Sequence, residues 1–448
     1  MVLPHPRDLR DIARIAVPVS LEAVSQLLLG FIDQIIVGVL GALAIAAVGL
    51  ANSTTFIFIL TLAALGNSCA ILIARAFGAK NAASLSQSLS VGLVLGLAMS
   101  IAVVIPLWLW AEPLMAFAGG NPQLVKPASD FLKIVILGLP LIVLGSVATG
   151  ALRSMGDAQT PMKATMLSML LNTLLAYVLV THFNMGVVGA AFGTLIANLI
   201  KTLWLLHTVY RHQDVHFVTP HWKAIRETTR ELLPLSAPMM VTELFWTSSV
   251  FIYNILFGKI STEALAANQI VHTLETVFVV ASFGLASAAT TLLGQAVGQG
   301  DTQLAHARSR AILQLGLITG VVTGLLYLTT AYLLPVVFPK VEETVLQIAF
   351  LGVVLNALFQ AVKVHNMIQG IGILPSGGDP RGVLIGDVVA AFVVGLPLAV
   401  LFGFGFGWGA VGIFSARLVE EAVKLVIFYG RYRKINWHAL KGQVAAAH

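Results

Sequence analysis

Asp33 stands in the run Gly30-Phe31-Ile32-Asp33-Gln34-Ile35-Ile36-Val37-Gly38, an acid in an apolar stretch with no cation within one helical turn. A charge at the centre of a bilayer costs about 3 kcal/mol or more, so an acid there is expected to face an interior partner or pathway. A lone carboxyl in such a place is suited to loading and releasing a proton. Glu22 precedes it by 11 residues, which at ~100° per residue sets it on nearly the same helix face, roughly 16 Å away along the axis. It reads as a second step on the same route or as a vestibule charge. Glu243 comes three residues before Trp246, so acid and ring share a face and can meet a cationic ligand through charge and quadrupole. Arg417, Glu420, Glu421 and Lys424 are spaced three and four apart. They can neutralise one another within one helix, with Glu420 and Lys424 the expected pair. Asp387, Lys363 and His365 are placed to join that network from other helices, while Lys201 is near enough to its helix end to snorkel.

Enzyme chemistry finds no foothold. The chain lacks His-Glu-x-x-His, Gly-x-Ser-x-Gly, a phosphate-cradling loop and a Cys/His cluster, and no nucleophile sits at motif spacing from a base. His212, His216 and His221 lie in a polar connection and read as solvated. The single cysteine, Cys69, cannot close an intramolecular disulfide, which leaves helix packing to hold the fold. The expectation is a protein that is not an enzyme, with no metal and no cofactor.

The elements that must carry these residues follow from composition. Of 448 residues, 58% are hydrophobic and 10% charged, with a mean hydropathy of +0.91, which excludes an ordinary soluble domain. The apolar residues fall in long runs such as 98–110, 131–148 and 388–406. Segmentation at charges and Gly/Pro clusters gives helices near 12–37, 45–73, 84–110, 128–151, 161–181, 187–209, 232–257, 264–292, 309–336, 343–370, 382–403 and 409–430. Arg7, Arg10, Arg14 and most other Lys and Arg residues, through to Lys441, collect on one set of alternate loops. Only Lys126, Lys133, Lys259 and Lys340 fall on the other set, so both termini are expected in the cytoplasm. No small-residue cleavage site follows the first apolar run, so helix 1 reads as retained. The basic pI of about 9.5 reflects scattered loop cations rather than a nucleic-acid patch.

An offset of 220 aligns Pro18 with Pro238, Phe31 with Phe251, Ile35 with Ile255, Gly38 with Gly258 and Gly78 with Gly298. At 222, Leu152, Ser154, Gly156 and Asp157 align with Leu374, Ser376, Gly378 and Asp379. Six crossings per half make the repeats parallel. The expected fold is an all-α polytopic membrane protein of twelve transmembrane helices in two parallel six-helix repeats. Its parts are an N-lobe (1–210), a cytoplasmic linker (211–230) and a C-lobe (231–448), with a cavity between lobes used for alternating access. Pro18, Pro140, Pro238 and Pro397 are expected to kink or shape their spans.

The run Gly30 to Gly38 resembles the helix 1 signature of MATE (multidrug and toxic compound extrusion) transporters. Leu152-Arg153-Ser154-Met155-Gly156-Asp157-Ala158-Gln159-Thr160-Pro161 resembles the family's connection between helices 4 and 5, and Gly372 to Arg381 is its second-half counterpart. The resemblance extends over nearly the whole chain. It implies a secondary antiporter that exports cationic amphiphilic compounds in exchange for H⁺, with Na⁺ as the alternative coupling ion. It also implies that Asp33 is the N-lobe coupling carboxylate, with Asn172 and Thr194 gathering around it from helices 5 and 6. Where some members place a second acid after the helix 5 asparagine, this chain has Ala176, which argues against a Na⁺ site needing several oxygen ligands. The NorM branch's helix 10 acid has no counterpart in Ala361-Val362-Lys363-Val364-His365, and Glu243 lies about a turn out of register with that branch's helix 7 glutamate. The chain therefore reads as more like the DinF-type branch. In the connection itself, Gly156 permits a tight turn, Thr160-Pro161 supplies capping and first-turn chemistry, and Arg153 with Asp157 forms an expected ion-pair latch. Asp379 is the second-half counterpart. The bilayer and small organic cations are the expected partners, the chain acts as a monomer, and the location is a prokaryotic plasma (inner) membrane. A lipid-linked saccharide flippase is the other reading, with Lys363, Arg417 and Lys424 as pyrophosphate holders unless Asp387, Glu420 and Glu421 neutralise them.

Overall fold

The computed structural model describes residues 6–119 and 122–437, so the Arg7 side chain and Lys441 lie outside the described residues. Its helices are α1 (Pro6–Gly38), α2 (Ala42–Gly78), α3 (Ala82–Leu109), α4 (Ala111–Gly119), α5 (Pro122–Ile136), α6 (Leu139–Ser154), α7 (Gln159–Thr181), α8 (Gly186–Tyr210), α9 (Trp222–Ile260), α10 (Thr262–Gly298), α11 (Thr302–Val337), α12 (Glu343–Leu358), α13 (Gln360–Met367), α14 (Leu374–Ser376), α15 (Pro380–Val388), α16 (Leu396–Val400) and α17 (Gly409–Tyr432). Among the described residues, ten helical stretches are long and apolar enough to cross a bilayer, α5 with α6 counting as one. The pair α12 and α13–α14, bent by 57°, makes an eleventh. The twelfth is α17, whose Arg417, Glu420, Glu421 and Lys424 lower its hydropathy. The fold is all-helical, and large apolar side chains such as Ile35, Leu170 and Phe251 remain exposed on its surface, as a lipid solvent requires.

Several boundaries differ from expectation, among them the break between α12 and α13 inside the expected 343–370 helix and the added short helix α4. The 211–230 connection is helical from Trp222, because Lys223 and Glu227 pair at 3.9 Å across one turn in a run of good helix formers. The fourth crossing breaks at residues 137–138. As a result Pro140 sits in the first turn of α6, where proline is preorganised rather than disruptive, whereas Pro397 lies inside the unbroken helical stretch Pro380–Gly405, just after the π-helical turn Val389–Gly395. Pro18 and Pro238 lie inside α1 and α9.

The sequence repeat is repeated in the local chemistry of the helix starts. Asn81 accepts from the Ser84 amide to cap α3, and Asp301, 220 positions later, accepts from the Leu304 amide to cap α11. Gly156 and Gly378 both adopt left-handed backbone, at φ 91° and 80°, a conformation that glycine takes without a Cβ penalty. π-Helical turns interrupt the second half at Ile368–Ile373, Val389–Gly395 and Leu401–Gly405, a feature that often marks functional positions.

The chain forms two compact units, Leu21–Met240 and Met1–Ser20 with Val241–His448. In the first, α2 and α6 pack through small residues: a Cβ on Gly150 would lie 2.9 Å from the Gly66 carbonyl oxygen, so only glycine allows that approach. In the second, Tyr253, Phe257, Val271, Tyr327 and Phe414 form the centre of the core.

Candidate functional site

Within the unit Leu21–Met240, α1, α7 and α8 bring together Asp33, Asn172 and Thr194. The Asn172 amide donates to both carboxylate oxygens of Asp33, at 2.9 and 3.2 Å. The Thr194 hydroxyl turns to the Asn172 amide oxygen at 3.3 Å and to the Ala190 carbonyl of its own helix at 3.2 Å. Asn172 is buried and Asp33 half-buried. No Lys, Arg or His lies within salt-bridge distance of Asp33 among the described residues. The carboxylate is therefore held by a neutral amide, leaving its charge open to a proton or a mobile cation. Beside it, a Cβ on Gly193 would lie 2.8 Å from the Ala176 backbone nitrogen. The close approach of α7 and α8 there accounts for glycine at 193, and the small Ala176 packs against it.

About three helical turns nearer the start of α1 and two nearer the start of α7, these helices with α6 build a second polar layer around Glu22. Arg153 donates to Glu22 Oε2 at 2.6 Å and the Thr165 hydroxyl to Oε1 at 3.0 Å, while Lys201 of α8 lies within electrostatic reach. The expected Arg153–Asp157 latch does not form. Asp157 accepts from the Gln159 and Thr160 amides at 3.1 and 3.0 Å and from the Thr160 hydroxyl at 2.6 Å, so it, rather than Thr160, caps α7. A short acid beside a helix start satisfies orphan amides at once, whereas the long Arg153 side chain can cross to α1. Lys201, expected to snorkel toward its helix end, instead lies within electrostatic reach of the Glu22 carboxylate.

The other unit carries its charges in cross-helix groups. Lys424 binds Asp387 at 2.8 Å and lies 3.9 Å from Glu421. Glu420 instead accepts from the Tyr253 hydroxyl at 2.5 Å, and Arg417 lies over the Tyr253 ring at 5.5 Å. The expected Glu420–Lys424 pair is thus replaced by partners on neighbouring helices. Lys363 binds Glu275 of α10 and the Asn356 side-chain oxygen, and it meets this network through Glu275, which lies within electrostatic reach of Arg417. Glu243 is half-buried, with Asp387 as its charged neighbour, and Trp246 on the same helix is exposed. Asp379 accepts from the Gly382 amide to cap α15 and pairs with Arg431 at 3.5 Å, the counterpart of Asp157 at the other connection.

Sequence reasoning missed Glu275, although the criterion that singles out Asp33, an acid inside an apolar span, applies to it equally. It also left Asn356 and Tyr253 out as side-chain partners. Among the described residues no three His, Cys, Asp or Glu side chains converge as metal ligands. A groove of about 490 Å³ lies at the start of α11, lined by His306, Arg310 and Trp437 among others, and contains none of the expected site residues.

A model of the MatE family matches residues 18–178 and 238–401. The chain is 28% identical over 435 residues to a probable multidrug resistance protein NorM of Agrobacterium fabrum, covering 93% of this chain and 92% of that one. It is 23% identical to multidrug and toxin extrusion protein 1 of Danio rerio, covering 97% of this chain and 73% of the relative. Among solved structures, an outward-facing multidrug resistance MATE family transporter of the MOP superfamily superposes with a TM-score of 0.88 at 20% identity, covering 98% and 96% of the two chains.

Proposed function

The chain belongs to the MATE family, and from that premise we propose that it is a multidrug efflux antiporter that exchanges cationic amphiphilic compounds for H⁺ by alternating access. The observation that carries the proposal is the isolation of Asp33. Glu22, Glu275, Asp387 and Glu421 each have a Lys or Arg from the chain close by, whereas Asp33 has only the Asn172 amide. Its charge is therefore left for a proton and a cationic substrate to share. So is that of Glu243, which has no ion pair among the described residues and only Asp387 as a charged neighbour. Exchange at one carboxylate gives antiport without further machinery.

H⁺ is favoured over Na⁺ on donor chemistry. A hard cation is held by several oxygens, but Asn172 presents its N–H groups to Asp33, and Ala176 supplies no second acid. The relatives named above include a NorM-type protein. We read the coupling chemistry as nearer the DinF type, because residues 361–365 carry Lys363 and His365 and no acid. A saccharide flippase is disfavoured because Lys363 and Lys424 are already neutralised by Glu275 and by Asp387 with Glu421.

If proton and substrate compete for Asp33, the affinity for a lipophilic cationic dye rises with pH, by at most about tenfold per pH unit for one displaced proton. Dye binding to purified protein across the acidic to mildly alkaline range measures this. Affinity that is flat or falls with rising pH overturns the competition.

The same proposal places the protein in a prokaryotic plasma membrane as a functional monomer, with both termini and the 211–230 connection in the cytoplasm, on the alternation of Lys and Arg among loops. An introduced cysteine at the exposed Gln213 is expected to resist an impermeant thiol reagent in intact cells and to react in inverted vesicles. The native Cys69 is buried and gives little background. Labelling from outside the cell reverses the orientation.

A further inference from the structure

The groove of about 490 Å³ at the start of α11 has two walls. One is a face of that helix, where Gln303, His306 and Arg310 follow one another at helical spacing. Ile435 and Trp437, just past the end of α17, form the other. Both are anchored by packing. Trp437 is buried, and Ile435 lies over Gly377, where a Cβ would come within 2.7 Å of its side chain. The Ser309 and Tyr432 hydroxyls meet at 3.0 Å, and the His306 ring lies nearly parallel to that of Tyr432 at 6.4 Å. Arg310 gives the groove a positive charge, and among the described residues no acid lines it. Nearby Arg308 and Arg431 are paired with Asp11 and Asp379, at 3.3 and 3.5 Å. Arg310 has no ion pair among the described residues. Residues 438–448 include Lys441 and no Asp or Glu, so their side chains do not offer the missing counter-charge.

The position of Arg310 along α11 selects the kind of anion. After it, residues 311–337 carry no charged side chain. That is about 40 Å of helix, enough to cross the hydrocarbon core and reach both headgroup regions. Arg310 therefore stands at headgroup level. Leu317 and Val321 follow it by 7 and 11 residues, which at ~100° per residue returns both to within about 20° of its face. They are 37% and 49% exposed, so an apolar track leads from the groove into the hydrocarbon. We infer that the groove binds one anionic phospholipid of the leaflet that meets the start of α11, with its phosphate on Arg310 and an acyl chain along Leu317 and Val321. A cation, a walled groove and an apolar track on one helix face match an amphiphile with a phosphate head, whereas free phosphate would use the cation alone.

The inference does not depend on the coupling ion, and its test involves no transport. The purified protein is equilibrated in detergent with equal amounts of phosphatidylcholine and phosphatidylglycerol, and the lipids it retains are counted by native mass spectrometry. Phosphatidylglycerol is expected to be retained in preference. Arg310→Gln is expected to lower that preference about fivefold, the contribution of one cation at a membrane surface. Ala307→Phe, which keeps every charge and fills the groove, is expected to lower it as well. Lys223→Gln, which removes an exposed cation of the 211–230 connection, is expected to leave it unchanged. Positions 223, 307 and 310 are all exposed, so the three variants are expected to fold, with thermal unfolding as the check. An unaltered protein without the preference overturns the inference. An equal loss in Lys223→Gln and Arg310→Gln does so too, because attraction would then belong to the basic surface at large. Undiminished preference in Ala307→Phe, or displacement of the lipid by an equal concentration of inorganic phosphate, also overturns it, because groove and track would then be dispensable.

Discussion

Asp33→Asn is expected to fold, to bind a lipophilic cation with the weakened and pH-independent affinity of the protonated protein, and to lose pH-gradient-driven efflux down to the level of protein-free liposomes. The amide keeps the size and planarity of the carboxylate but cannot take up or release a proton. Structurally the change is small. The Asn172 amide now donates to both Asp33 oxygens, and an amide at position 33 still offers one acceptor. The loss is therefore one hydrogen bond in a half-buried place, about 1 kcal/mol. Thermal unfolding and dye binding by the purified variant establish that the fold survives, and efflux from proteoliposomes then isolates the coupling step. Normal pH-driven efflux by this variant would remove Asp33 from the mechanism.

The second large effect falls on stability. Glu22 is 4% exposed in its side chain and is held by Arg153 at 2.6 Å. Arg153→Met leaves that carboxylate buried beside Thr165 alone among hydrogen-bond donors. Removing one partner of a buried pair costs about 3–5 kcal/mol. Because Lys201 still lies within electrostatic reach of Glu22, the loss is expected near the lower end, about 3 kcal/mol. Glu22→Gln combined with Arg153→Met leaves Lys201 without its counter-charge. It is therefore the triple variant that adds Lys201→Met, with all three charges removed, that is expected to recover most of that loss. Chemical or thermal unfolding of the single and triple variants decides the matter: a triple variant no more stable than Arg153→Met shows that the ion pair is not what Arg153 contributes.

The contrast between these two carboxylates also shows which parts of the structure could be read from the amino-acid order. Span count, the two-fold repeat and the assembly of Asp33 with Asn172 and Thr194 rest on long apolar runs, a fixed offset and a family motif, all of which are written along the chain. Partners of buried charges are not. Arg153 and Asp157 are four residues apart, as are Glu420 and Lys424, and local spacing suggests pairing in each case. In a desolvated interior, however, long side chains reach whichever group on another helix most needs neutralising. So Arg153 crosses to Glu22 and Lys424 to Asp387, while Asp157 stays to cap its own helix. The π-helical turns had only diffuse signals, the glycines at 370, 372, 395, 403 and 405 and prolines at 375 and 397, which fit ordinary loop or kink positions equally well.

The most direct test of H⁺ exchange at Asp33 is efflux of a cationic dye from proteoliposomes under an imposed pH gradient and, separately, under an imposed Na⁺ gradient with pH held equal on both sides. Efflux driven by the pH gradient alone, unaffected by Na⁺ and absent in Asp33→Asn, is the predicted result. Efflux driven by the Na⁺ gradient with none under the pH gradient would contradict it.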